Sequence, residues 1–519
     1  MIHHKEPKEK CDIPRSRLIA ADRIGMQRGV RLICEPLGEL TNTEDPYFAT
    51  FSFYLVERVS FNSQLPSLVL SDIAEHFPKL AIVNFSLRIL HKPTRADYLY
   101  RKDPERPNPK FSLFAITYLP YIHPRSSLAI ASEAMATLRK PLSDVLPPLI
   151  LGTATFNHQY HPDPAHMPYT DIVGRALAHN ILGFDTSPYY GPSEILLGDA
   201  LRKLTPPPPR EGYFLITKAG RIASDEFDYS PAWIRYSVCR SLERLGTPYL
   251  DLVYTHDVEF VSPEEVLGAV MELRRLRDQG LIRYVGISGY PVDTLASLAE
   301  MILRETGEPL DAVLSYGHFC VQNSQLGEKA LLERFKDAGV ECLLNASMLN
   351  MGLLTTRGVD NSPMATWHPA PGELRQLCSN LSVIAQQEGE HLEEVAIRWA
   401  LENWARVGSP FGTKLNPGSS GRLGVSVMGV SSVDELEETW NLWSSVVGLT
   451  GDEETQRKDK IAGIVKDKMW PTLGRWKDFE WESGGPKFVN ARIEMGVVPR
   501  DGTAERWRLI PSVLDTPKI

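Results

Sequence analysis

Much of what classifies a protein at first sight is missing from this chain of 519 residues. It has six cysteines, Cys11, Cys34, Cys239, Cys320, Cys342 and Cys378, and no two stand in CxxC spacing. That scatter excludes a disulfide framework and a cysteine-rich metal site, and it fits a reducing compartment. No apolar run approaches the ~18 residues that a membrane span needs. The opening "MIHHKEPKEKCDIPRSRL" lacks the charged-then-apolar design of a secretory leader. These absences predict a cytoplasmic protein without membrane contact. The net charge is −9 with no long basic run, so no nucleic-acid partner is expected either.

What is present begins at about Pro147. Short apolar runs alternate with helical patterns: "LILGTATF", "ILGFDTS", "FLITKAG", "YLDLVYTHD", "IRYVGISG", "DAVLSYGHF", "VECLLNASM" and "VSVMGVS" read as strands. Each is followed by a segment of helical spacing, with start signals such as Ser230–Pro231 and Ser262 and a stop at Gly280. The strand cores are apolar almost throughout, as strands covered on both faces must be. Strict strand–helix alternation over roughly 300 residues predicts an α/β fold with a parallel sheet. Eight such units favour a closed (β/α)8 barrel of the TIM type. The runner-up is an open doubly wound sheet, which usually begins with a GxGxxG turn; "LGTATFN" is not one. The barrel is assigned to residues 135–450 and a tail packed on it to 451–519. Residues 1–134 carry no chemical constellation. They read as an appendage or as an upstream stretch joined to the frame, because "MATLRKPLSDVLPPLILG" from Met135 looks like a natural start. "GTKLNPGSSGRLG", 412–424, reads as an insert on the face away from the chemistry.

In such barrels the chemistry lies at the C-terminal ends of the strands. Strand two ends in Asp185, strand three in Lys218 and strand four in His256, and Tyr190 lies in the loop after strand two. Taken singly, a Lys or His at a strand end is usually solvated or structural. Four complementary groups on one rim are harder to dismiss. A tyrosine titrates near ~10, and a lysine beside it favours the phenolate. Asp185 would hold Lys218, and His256 would orient a substrate oxygen. The set is an acid–base device for a carbonyl/alcohol pair. With no metal-ligand spacing in view, hydride transfer to a nicotinamide completes it most simply.

"GFDTSPYYGPSEILLG", "FLITKAG" and "YLDLVYTHD" resemble the three signature regions of the aldo-keto reductase family, over about residues 148–450. The resemblance assigns the family's tetrad to Asp185, Tyr190, Lys218 and His256, choosing Tyr190 over Tyr189, which becomes a packing or substrate-wall residue. It implies a dinucleotide lying across the barrel mouth. Ser288 and Gly289 stand where the family holds the carboxamide, Gly289 replacing the usual Asn. Ser315 stands where Gln is common, with Tyr316 beside it, and the stretch at Asn345–Ser347 lacks the usual stacking aromatic. "VMGVSSVDELEETW" aligns with the segment that grips the adenosine ribose. NADP-preferring members place Lys and Arg near Gly429 and Glu435, so glycine and a carboxylate there imply NAD. Ser431 and Ser432 suit a pyrophosphate or ribose contact. "THDVEF", "LILGTATFN" and "LSYGHF" resemble the branch that oxidises D-arabinose or L-galactose at C1 to a lactone. Asp257 and Glu259, just past His256, are the expected contacts to such a polyhydroxyl aldose. Two other classes remain open: an NADP-linked aldehyde or ketone reductase, and a redox-sensing regulatory barrel subunit.

Overall fold

The computed structural model describes residues 31–36, 51–56, 85–90, 139–415, 421–448 and 452–510. The rest of the expected extension 1–134, residues 416–420 of the expected insert and residues 449–451 and 511–519 lie outside it. The chain divides into two units at Leu119–Pro120. In the first, Arg31–Pro36 pairs antiparallel with Phe51–Val56, which pairs parallel with Phe85–Leu90.

The second unit is a barrel of eight parallel strands. They are β1 Leu149–Gly152, β2 Gly183–Asp185, β3 Phe214–Ala219, β4 Leu250–His256, β5 Ile282–Gly289, β6 Ala312–Tyr316, β7 Cys342–Ala346 and β8 Val425–Gly429. Neighbours in sequence pair in order, and β8 returns to β1 with Ser426 opposite Leu149 and Gly429 opposite Gly152. The helices outside are α1 Tyr169–Ala178, α2 Ser193–Lys203, α3 Pro231–Leu245, α4 Pro263–Asp278, α5 Val292–Thr306, α6 Lys329–Asp337, α7 Gly372–Gln387, α8 Leu392–Val407 and α9 Val433–Val447. Their ends follow from the sequence. Ser262 and Glu265 form a reciprocal capping box at α4, and Ser432 caps α9 by accepting from the Glu435 amide.

Alternation along each strand sorts its side chains into two cores. Ile150, Ile216, Leu252, Tyr254, Leu314, Leu344 and Val427 fill the lumen. Leu151, Phe184, Leu215, Val253, Ile287, Val313 and Leu343 pack outward under the helices. Each such side chain, fully buried, contributes about 1.5–3 kcal/mol. The period of two then fixes the mouth: Asp185, Lys218, His256, Ser288, Tyr316, Ala346 and Gly429 continue the lumen-facing rows. At the opposite end Thr413–Lys414 pairs with Arg422–Leu423, and Thr413 donates to the Ser143 carbonyl at 2.8 Å.

Candidate active site

The mouth gathers its groups from four adjacent loops and strand ends. Lys218, only 2% exposed, donates to Asp185 Oδ1 at 2.5 Å and to the Thr186 carbonyl at 3.0 Å. Its ammonium lies 4.8 Å from the centre of the Tyr190 ring. Beneath it, the buried Glu194 accepts from Thr217 at 2.7 Å and faces Arg244 at 3.2 Å, which fixes the strand next to Lys218. The turn carrying Tyr190 closes on itself: the Tyr190 amide donates to the Ser187 carbonyl at 3.1 Å, and the Ser193 amide to the Tyr190 carbonyl at 3.1 Å. A hydroxyl chain, Thr153–Ser193–Thr186, holds the start of α2 under it at 2.7 and 2.9 Å.

His256 meets the half-buried Tyr190 edge-on, ring centres 5.6 Å apart. Its Nδ1 lies 2.9 Å from Ser187 Oγ. That oxygen already accepts from the Tyr189 amide at 3.1 Å. Ser187 can therefore give its proton to Nδ1, which leaves Nε2–H as a donor toward the mouth. Burial holds the His256 pKa down to about 3, with Asp257 opposing and Lys218 and Arg221 adding to the fall. The imidazole is therefore neutral near pH 7, with Nδ1 as acceptor and Nε2–H as its one donor.

Burial raises the Tyr190 phenol above its ordinary value; Lys218 pulls it back, while Asp185 and Asp257 add to the rise. Burial opposes the charge on Lys218, but Asp185 and Tyr190 outweigh it and keep its pKa high. Burial also raises Asp185 against the pull of Lys218. The short bond and the second donation to a carbonyl favour the charged pair.

The remaining expected residues do not all reach the lumen. Ser288 does, its hydroxyl donating to the Thr255 carbonyl at 3.1 Å. Ser315 does not: it is fully buried on the other strand face, 3.5 Å from His318 Nδ1. Asp257 lies beside His256, Oδ2 to Nε2 3.8 Å, but its carboxylate is paired with Arg221. Glu259 turns under residues 483–484, accepting from the Tyr290 amide at 3.1 Å and the Ser483 hydroxyl at 2.8 Å. A Cβ on Gly289 would come within 2.4 Å of Glu259 Oε2, so the glycine makes room for that acid. Sequence reasoning missed Arg221, Ser187 and Gln159. Only Arg221 left a signal, a charge directly after an apolar strand ending "TKAG".

At the far rim, Gly429 leaves the end of β8 bare, an added Cβ meeting nothing closer than 3.4 Å. Glu435 accepts from the Ser431 amide at 2.6 Å and hydroxyl at 2.9 Å at the start of α9. Asp434 and Glu435 make that first turn acidic. Among the described residues no group of three or more His, Cys, Asp or Glu could hold a metal. No helix there is long and apolar enough to cross a membrane.

The protein is thus a closed parallel barrel with a Lys–Asp pair, a tyrosine and a neutral histidine at its C-terminal mouth, an acid–base set suited to a carbonyl/alcohol pair. The Aldo/keto reductase family model matches residues 148–461, and the chain belongs to that family. It is 38% identical over 344 residues to D-arabinose 1-dehydrogenase of Saccharomyces cerevisiae, covering 65% of this chain and 94% of that protein. It is 32% identical over 304 residues to L-galactose dehydrogenase of Arabidopsis thaliana, covering 58% and 86%. L-glyceraldehyde 3-phosphate reductase of Escherichia coli is more distant, 26% identical over 258 residues, covering 45% and 71%.

Proposed function

We propose that this oxidoreductase removes the C1 hydrogen and hydroxyl proton of a cyclic aldose such as D-arabinose, giving the aldonolactone, with NAD as acceptor. The observation that carries the reading is Lys218 set between Asp185 and Tyr190, with neutral His256 across from them. His256 Nε2–H holds the C1 oxygen. Tyr190 takes its proton in the phenolate form, which Lys218 stabilises against the burial that favours the phenol. Asp185 anchors Lys218. A nicotinamide dinucleotide held at this mouth would supply the two-electron acceptor for the C1 hydride, which balances the oxidation to lactone.

The acceptor in this reading is a dinucleotide with a free ribose 2′-hydroxyl. Ser288 would meet its carboxamide end, and Ser431, Ser432 and the start of α9 its other end. The acidic first turn of α9 repels a 2′-phosphate, and no cation stands at 429 or 435 to receive one. The names of the two nearer relatives above, both sugar dehydrogenases, support the same direction of reaction.

The test is initial rates with D-arabinose, L-galactose and L-fucose, each with NAD and NADP. At least one sugar should reduce NAD faster than NADP. Tyr190→Phe should cost about 10²–10⁴-fold in turnover, the usual worth of a positioned acid–base group, while dinucleotide still quenches tryptophan fluorescence. Tight dinucleotide binding without turnover of any sugar would instead favour an aldehyde reductase or a regulatory barrel.

A further inference from the structure

Arg221 follows β3 by two residues and reaches across the mouth. Its Nη1 pairs with Asp257 Oδ2, and its Nη2 donates to the Tyr189 hydroxyl at 3.1 Å. The guanidinium lies 3.8 Å from the Tyr189 ring centre. Its other bonds go to the Ala223 and Ser224 carbonyls at 3.2 and 3.4 Å. Arg221 is thus occupied by protein groups, and its effect must pass through what it holds.

What it holds is a matched pair. The Tyr189 oxygen accepts from Arg221 and also from Gln159 Nε2 at 3.2 Å. Both lone pairs are filled, so the phenol can act toward a ligand only as a donor. Asp257 can only accept, and a carboxylate has room for more than one bond. Asp257 also sits in the left-handed region, φ 58°, a conformation a non-glycine residue keeps only when its surroundings fix it. Held by the same guanidinium, Tyr189 and Asp257 both lie against His256: the tyrosine and imidazole ring centres are 5.8 Å apart, and Asp257 Oδ2 is 3.8 Å from His256 Nε2.

A fixed donor and a fixed acceptor side by side are complementary to one hydroxyl, which both accepts and donates. We propose that Tyr189 and Asp257, set by the positioning residue Arg221, form a subsite that reads the hydroxyl next to the reacting carbon of an aldose. The inference rests on the sugar-oxidising reading above. Because His256 holds the C1 oxygen, the neighbouring subsite receives the oxygen on C2. Sugars lacking it leave Asp257 and the Tyr189 proton unmatched in a largely buried site, which is costly.

The test compares D-arabinose with 2-deoxy-D-erythro-pentose, the same sugar without its C2 hydroxyl. Wild type should prefer D-arabinose in kcat/KM. Tyr189→Phe keeps the ring and loses one donor; Arg221→Lys keeps the charge and loses the planar fork. In both, the preference ratio should fall about tenfold to a hundredfold, mostly through KM for D-arabinose. A merely structural role would lower both sugars by the same factor, and that result overturns the subsite. So does a wild type that turns over both sugars equally. A wild type that turns over no aldose overturns the sugar-oxidising reading, and the subsite with it.

Discussion

Asp257 and Glu259 stand two positions apart, yet the structure drives their proton affinities in opposite directions. Burial would lift Asp257, but the Arg221 guanidinium paired with it outweighs burial and holds it below the usual carboxylate range. Glu259 has no cation; burial and then the Asp257 charge push it up to about 8. The native state therefore keeps a proton on Glu259 that the unfolded chain releases near the ordinary value of 4.5. The native state binds more protons in that interval, so Glu259 contributes stability below 4.5 that is lost as pH rises through about 8. His256 runs the other way: its contribution is present above 6.5 and is lost as pH falls toward about 3. Above 6.5 Glu259 acts without that opposition. We predict that Tm falls from pH 6.5 to 8 and that Glu259→Gln flattens the fall; equal slopes by calorimetry would rule this out. Residues of this kind mark the limit of legibility. Asp185, Lys218 and His256 could be picked from the sequence because each ends an apolar run. Arg221 and Glu259 could not be placed, because their partners, Asp257 and Ser483, lie on other loops and are chosen by the fold.

At the scale of elements, the eight strands were legible because each is a short apolar run between turn signals, and the caps at Ser262 and Ser432 because their side chains act locally. The phase of a strand was not. In "AVLSY" both faces are apolar, since lumen and helix layer are both dry, so nothing in the sequence says that Tyr316 rather than Ser315 faces in. The start of α9 is a case where the sequence position was plain and its detail was not. Glu435 closes a bond pair with Ser431 as well as presenting negative charge. Gly429→Lys with Glu435→Arg should therefore do two things. It should supply two cations where a ribose 2′-phosphate would lie, each charged hydrogen bond being worth about 1.5–3 kcal/mol. It should also free the Ser431 amide to face the ligand. The expected result is a shift in the NADP-to-NAD dissociation-constant ratio of tenfold or more toward NADP, read by tryptophan quenching. An unchanged ratio would remove this segment from cofactor choice.

At the scale of the whole molecule, the residues after Leu473 act as a strap around half of the barrel mouth. Asp478 binds the loop after β6, its amide donating to Gln322 at 2.8 Å and Oδ1 accepting from the Ser324 amide at 2.7 Å. Trp481 stacks on Tyr290 after β5 at 4.8 Å. Ser483 holds Glu259 after β4, and Phe488 packs on Phe260 and Phe227 at 4.8 and 5.6 Å. Asn490 exchanges two bonds with Phe227 after β3, at 3.0 and 2.8 Å, and Asp501 accepts from Tyr236 on α3 at 2.6 Å. These are the loops that carry Arg221, Asp257 and Tyr316, whereas the start of α9 lies after β8. Truncation after Leu473 should therefore act unevenly. Losing the buried Trp476 and Trp481 costs about 1.5–3 kcal/mol each, a large share of the ~5–15 kcal/mol that stabilises a typical domain. A marked drop in Tm is expected. More telling is the split: KM for the sugar should rise at least tenfold, while the dissociation constant for the dinucleotide changes by no more than a few-fold. Trp481→Ala, which keeps the strap's hydrogen bonds, should shift KM in the same direction by less. If sugar and dinucleotide weaken together in both variants, the strap supports the barrel as a whole rather than its substrate side.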